Sequence, residues 1–313
     1  MKKTIKKRAF VSAIAMLIVS AIVLTSSTFA WFSMSKQATI EQMDLTVSAP
    51  EGIQISANAS AWTASLTNDD FFNEESTSRY KAYDGNINLL PKELIPVSSA
   101  FKAYNFDTGA MNFFKATLDD KGNATVTAVE QTAGNDDAAG LVAFDIFFKV
   151  AEDTKVYFGT SEFTDGSNSD ILTALRVAFQ PLGETPADSS ADTAVALKKT
   201  NGTDSIVYEP DSENRSADAI SAGNSTGPVE TKYVAGIYAA GTVDENSVLT
   251  NNSNETLTCK SVTDTAADAD KSFDLKAGIT KYRVYVWVEG NDIDCRNSVA
   301  GAVLSVALKF TID

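Results

Sequence analysis

Histidine is absent from all 313 residues. Without an imidazole the chain cannot build a Ser-His-Asp or Cys-His nucleophile, an HExxH zinc helix or any other histidine-ligated centre. Its two cysteines, Cys259 and Cys295, are too few for a structural zinc site. In an oxidising exterior they would pair, and closing the loop between them would add roughly 4 kcal/mol through loop-closure entropy. Two buried thiols are the alternative, because a bridge requires closely approaching Cα atoms. No GxGxxG or GxxxxGK[ST] run offers a phosphate cradle. With 41 Asp and Glu residues, any fold brings some carboxylates to glycosidase spacing, so that spacing carries no signal. No catalytic residue is assigned. Two acidic stretches have the oxygen-rich composition that hard cations take, residues 165–170 (DGSNSD) and 291–294 (NDID). The first points to Asp165 and Asp170 as calcium ligands, although it lacks the bidentate Glu of an EF-hand and such turns also occur simply solvated. No other cofactor is expected.

The elements that must position such residues read as strands. Phe32, Met34, Ala38 and Ile40 alternate with polar neighbours, and then the phase flips to Met43, Leu45, Val47 and Ala49. A one-residue slip turns the apolar face over, so residues 41–42 mark a bulge or a change of sheet and residues 31–42 form a separable strand. Pro50-Glu51-Gly52 predicts a type I turn and a hairpin over residues 43–56. Residues 58–85 read as a loop or one short helix. Five segments rich in β-branched and aromatic residues predict core strands: 141–150, 155–160, 171–180, 282–288 and 302–312. A weaker strand is expected at 234–239, and Gly122-Asn123 predicts a hairpin between 116–119 and 124–129. Residues 183–230 turn polar, with short strand-like pieces at 194–197 and 205–208, and read as a surface insertion. The expected fold is all-β, a jelly-roll-like antiparallel β-sandwich occupying residues 31–313 as one domain.

Five basic residues, Lys2, Lys3, Lys6, Lys7 and Arg8, precede an uncharged apolar run from Ala9 to Leu24 and then small residues. That order predicts a signal peptide over residues 1–30, with Thr28 and Ala30 at the −3 and −1 positions and a cut before Trp31. An uncleaved anchor is the alternative, since residues 9–32 are long enough to cross about 30 Å of hydrocarbon. Contact with a membrane is expected only through this segment before cleavage. The formal net charge of −15 becomes more negative once the basic leader is removed, which disfavours nucleic acid and anionic lipid as partners.

The stretch STFAWFSMSKQATIEQMDLTVSA at residues 27–49 resembles the start of the TasA/camelysin family of exported biofilm-matrix proteins of Gram-positive bacteria. It shares their Thr-x-Ala cleavage site, following aromatic position, polar spacer and Asp-Leu strand. The likeness covers residues 1 to about 56. Downstream, FDIFFKVAEDTKVYFG, ALRVAF and YRVYVWVEGNDIDC look like surface proteins of clostridial anaerobes. The resemblance implies a jelly-roll subunit that polymerises when the N-terminal strand of one copy inserts into the next. Camelysin-like members carry a metalloprotease label, but a chain without histidine has nowhere to place that zinc site, so the activity is not carried across.

These readings converge on a secreted, non-enzymatic structural subunit at the surface of a Gram-positive cell, whose partner is itself or another matrix protein. Phe32, Met34, Ala38 and Ile40 would be the side chains that fill a partner's sheet edge. The same strand folding back into its own sheet is the competing expectation. The alternative function is an adhesin or glycan-binding module, in which Trp62 or Trp287 would stack on sugars. Trp287 shares a strand face with Arg283 and Tyr285, which would make it plain sheet surface.

Overall fold

The structure, a computed structural model, describes residues 43–72, 82–91, 94–105, 110–118, 124–128, 140–158, 161–165, 170–198, 206–211, 214, 260–261, 272–290, 294–295 and 304–312. The expected signal peptide with Thr28, Ala30 and Trp31, the separable strand with Phe32, Met34, Ala38 and Ile40, the strand at 234–239 and Cys259 lie outside these residues.

Among the described residues the fold is all-β, with several mostly antiparallel sheets and three short helices. The largest sheet has six strands in the order β12 (Lys260–Ser261), β11 (Ile206–Glu209), β10 (Leu175–Thr185), β14 (Gly278–Val288), β7 (Leu141–Val150) and β2 (Gln54–Ser56). A second sheet runs β3 (Ser65–Thr67), β1 (Met43–Ser48), β15 (Leu304–Lys309) and β9 (Glu162–Asp165). Beyond an irregularity at Phe310, β16 (Thr311–Ile312) pairs with β8 (Thr154–Tyr157), whose other edge takes β13 (Ser272–Leu275). A three-stranded meander, β4 (Ser98–Asn105), β5 (Ala110–Leu118) and β6 (Ala124–Ala128), completes the sheets.

Period-2 alternation accounts for the core. Val142, Phe144, Ile146 and Phe148 of β7 share a face with Val284 and Val286 of β14, and they meet Leu45, Val47, Val306, Leu308 and Phe310 in one buried cluster. Phe148 lies at its centre, with ring contacts to Phe273, Tyr282 and Phe310.

Several expectations change in three dimensions. The turn after β1 is present, with Ile53 N–H donating to Pro50 O at 3.2 Å. Gly52 there has φ +94°, the left-handed conformation that the third position of a type II turn demands, rather than type I. No hairpin follows, because β1 pairs with β15 and β3 while β2 pairs with β7 in the other sheet. The β1–β15 pair is parallel, which an antiparallel jelly roll does not anticipate. Residues 171–180 divide into helix α2 (Asp170–Ala174) and β10, since Leu172 and Ala174 favour helix and the β-rich run starts only at Val177. The strand-like piece at 194–197 is instead the end of helix α3 (Ala191–Val195), capped by Ser190 Oγ accepting from Thr193 N–H at 3.3 Å. The stretch expected as an insertion begins inside β10 and returns β11 to the largest sheet. Residues 58–85, read as a loop or one short helix, hold helix α1 (Asn68–Phe71) but also strand β3, which pairs with β1, while β5 and β6 pair as the 116–129 reading anticipated.

Candidate functional site

Strand β14 is buried along its whole length. Tyr282, Val284, Val286 and Val288 enter the shared core, while Lys281, Arg283, Tyr285 and Trp287 occupy the opposite face. That face, expected to be sheet surface, is covered. Phe113 of β5 packs on Tyr285 and Trp287 with ring centroids 5.4 and 5.1 Å away, and Trp287 Nε1 donates to Glu289 Oε2 at 3.1 Å. Trp287 is fully buried, so sugar stacking on it is ruled out in this conformation. Trp62 is half-buried with Lys149 Nζ 5.4 Å from its ring centre.

The densest polar cluster lies under this cover. Asp145 of β7 stands directly opposite Arg283 of β14, and Arg283 Nη1 donates to Asp145 Oδ1 at 2.7 Å. Lys281 Nζ reaches Asp145 Oδ2 at 3.2 Å, and the Tyr83 hydroxyl donates to the same oxygen. Two cover segments, residues 83–88 and 195–197, are joined here. Arg283 Nη2 donates to Ile87 O, Asn88 Oδ1 accepts from Asp145 N–H at 2.9 Å, and Lys281 Nζ donates to Val195 O at 2.7 Å and Leu197 O at 3.3 Å, at the end of α3. Lys281 also lies over the rings of Tyr83 and Phe147, at 5.3 and 5.6 Å.

Burial pushes the Asp145 carboxyl up, but the Arg283 guanidinium, then Lys281 and the Tyr83 hydrogen bond, together hold it below the usual carboxylate range. Burial also pulls Lys281 down against the pull of Asp145, and the neighbouring Arg283 charge adds to the lowering. Burial and the neighbouring Asp145 raise the Tyr83 hydroxyl, which stays a neutral donor. With both carboxylate oxygens engaged, Asp145, Lys281 and Arg283 buried and Tyr83 half-buried over them, the arrangement fastens elements together rather than presenting a reactive group.

The same segment closes the free side of β7. Leu89 and Ala143 exchange both backbone hydrogen bonds, at 2.6 and 2.9 Å, and Asn88 supplies a side-chain acceptor where a neighbouring strand would supply a carbonyl. Asn88 is itself held by donating to Phe71 O at 3.2 Å. Among the described residues, β2 continues this edge only along residues 147–149.

Sequence reasoning missed the cluster. Its signal was a lone acid in LVAFDIFFKV and two bases at i and i+2 in KYRVYVWV, charges in otherwise apolar strands. Of the residues expected to bind calcium, Asp165 is half-buried at the end of β9, opposite Leu304, and Asp170 opens α2. Residues 166–169 between them lie outside the described residues. Among the described residues no group of three Cys, Asp or Glu side chains could hold a metal ion. Cys295 is fully buried. No described helix is long and apolar enough to cross a membrane.

Fold and site together define an all-β protein whose covered sheet face is fastened by a buried ion cluster. No protein-family model, no curated protein and no solved structure matches the chain.

Proposed function

We propose that this chain is a secreted structural subunit of an extracellular fibre or biofilm matrix, built as a jelly-roll-like β-sandwich and acting without catalysis. The observation that carries the reading is the cluster of buried Asp145, Arg283 and Lys281 with half-buried Tyr83, which spends the strongest polar chemistry of the described body on holding sheets and covers together. Rigidity of that kind suits a load-bearing subunit, and it leaves the cluster no access to substrate. The basic and apolar leader with Thr28 and Ala30 supports export, and residues 1–56 supply the likeness to TasA/camelysin proteins.

Assembly in this reading proceeds by strand addition. Phe32, Met34, Ala38 and Ile40 of one copy line an alternating strand that pairs with a sheet edge of the next. The favoured acceptor is the free side of β7 near Ala143, because a single two-bond bridge from Leu89 and the Asn88 side chain close it. An ordinary strand there would add a continuous ladder.

The test compares protein starting at Trp31 with protein starting at Met43, by size-exclusion chromatography and electron microscopy. Fibres from the first and monomers from the second are expected. Fibres from both would remove the donor strand from the reading, and monomers from both would end the polymer proposal.

A further inference from the structure

Among the described residues, two buried donors on the covered face have no acceptor. Gln180 of β10 and Arg283 of β14 sit directly opposite each other in the strand register, and both side chains are enclosed. The Tyr285 hydroxyl donates to Gln180 Oε1 at 3.2 Å, and Arg283 uses Nη1 and Nη2 on Asp145 and Ile87. Gln180 Nε2 and Arg283 Nε are left without a partner. Cross-strand neighbours have Cβ atoms about 5 Å apart, so one acceptor of atomic size can serve both. Leaving buried donors unmatched is costly, and native proteins rarely do so.

Charge specifies what that acceptor is. Lys281 and Arg283 share the single carboxylate of Asp145, and Tyr83 contributes no charge, so the enclosed cluster carries one excess positive charge. Lys198, next to the α3 cover, adds to the positive field at Lys281. The other buried charges near this face are engaged elsewhere. Arg176 Nη1 donates to Thr173 O and Leu175 O at 3.1 and 2.9 Å, and Glu289 accepts from Trp287. A buried charge without a counter-ion is strongly destabilising. We infer that Gln180 Nε2 and Arg283 Nε hold a small monovalent inorganic anion, of the size of chloride, enclosed between β10 and β14. The anion would enter as the fold closes and would tie the two central strands together through their side chains. This site is independent of the fibre reading and stands or falls apart from it.

The experiment uses the purified chain in sodium chloride, sodium bromide and sodium gluconate at equal ionic strength. Thermal unfolding is expected a few degrees higher, saturably, in either halide than in gluconate. Crystals grown in bromide should show an anomalous peak within hydrogen-bond distance of both donors. Gln180→Glu, which supplies the negative charge covalently, should abolish the halide dependence. If that variant does not fold, the bromide peak and the salt series on the native chain still decide. A water without anomalous signal, or an amide turned so that its oxygen takes the Arg283 proton, would overturn the site. So would equal melting in all three salts, and a bromide peak beside equal melting would mean an adventitious ion only.

Discussion

Asp145 is the residue on which most of the covered face depends. Its two oxygens receive Arg283, Lys281 and Tyr83, so Asp145→Asn would leave two enclosed cations without a counter-charge. We expect that substitution to cost about 3–5 kcal/mol in urea unfolding. A loss under about 1 kcal/mol would mean that the cluster is solvated in solution. The pH dependence follows from the same contacts. A carboxyl held below its ordinary value contributes stability that is fully present above about pH 3.9 and is lost as pH falls through that value toward the depressed one. Urea midpoints between pH 6 and pH 2 should therefore fall more steeply for the native chain than for Asp145→Asn.

At the scale of elements, helix α3 is only five residues long and cannot persist by its own propensity. Ser190 caps its start, and Lys281 collects the carbonyls of Val195, its last residue, and of Leu197 just beyond it. Lys281→Met keeps the apolar stem and removes the donor. Hydrogen exchange at residues 191–197 should then quicken at least tenfold while β14 stays protected, and unchanged exchange would show that packing alone seats the helix. Strand β14 begins at a second constrained point. Gly278 has φ +129°, and a Cβ there would lie 2.4 Å from Thr185 O. Backbone at both sides leaves nothing flexible to move, so Gly278→Ala should destabilise by about 1–3 kcal/mol and loosen the β10–β14 end, read as a lower urea midpoint. An unchanged midpoint would show that the strand start relaxes freely.

For the whole molecule, the question is whether the sheets form one cooperative body. Phe148 of the six-stranded sheet touches Phe273, Tyr282 and Phe310, which come from β13, β14 and the break between β15 and β16. Phe148→Ala should cost about 3–5 kcal/mol and shift a single thermal transition by calorimetry without splitting it. Two separated transitions would mean that the layers unfold independently. Much of this body was legible beforehand. The strand at Leu141–Val150 was expected at its observed bounds, the alternation of residues 304–310 matched the buried side of β15, and the β5–β6 pairing followed from its flanking strand patterns. The candidate site was not legible, because Tyr83, Asp145, Val195 and Arg283 are scattered along the chain and share no motif.

The sequence alone determined the β character, the period-2 division of Val142, Phe144, Val284 and Val306 toward a core, and the exclusion of histidine chemistry, because each depends on local pattern or on residue type. Tertiary structure decided that β1 lies parallel to β15, that the face carrying Arg283 and Trp287 is covered, and that one carboxylate joins three distant segments. Alternation says which side chains share a face, but the same face can meet water or a second layer. Only closing the long loops selects the partner, and that choice is made by the packing of the whole chain rather than by any stretch within it.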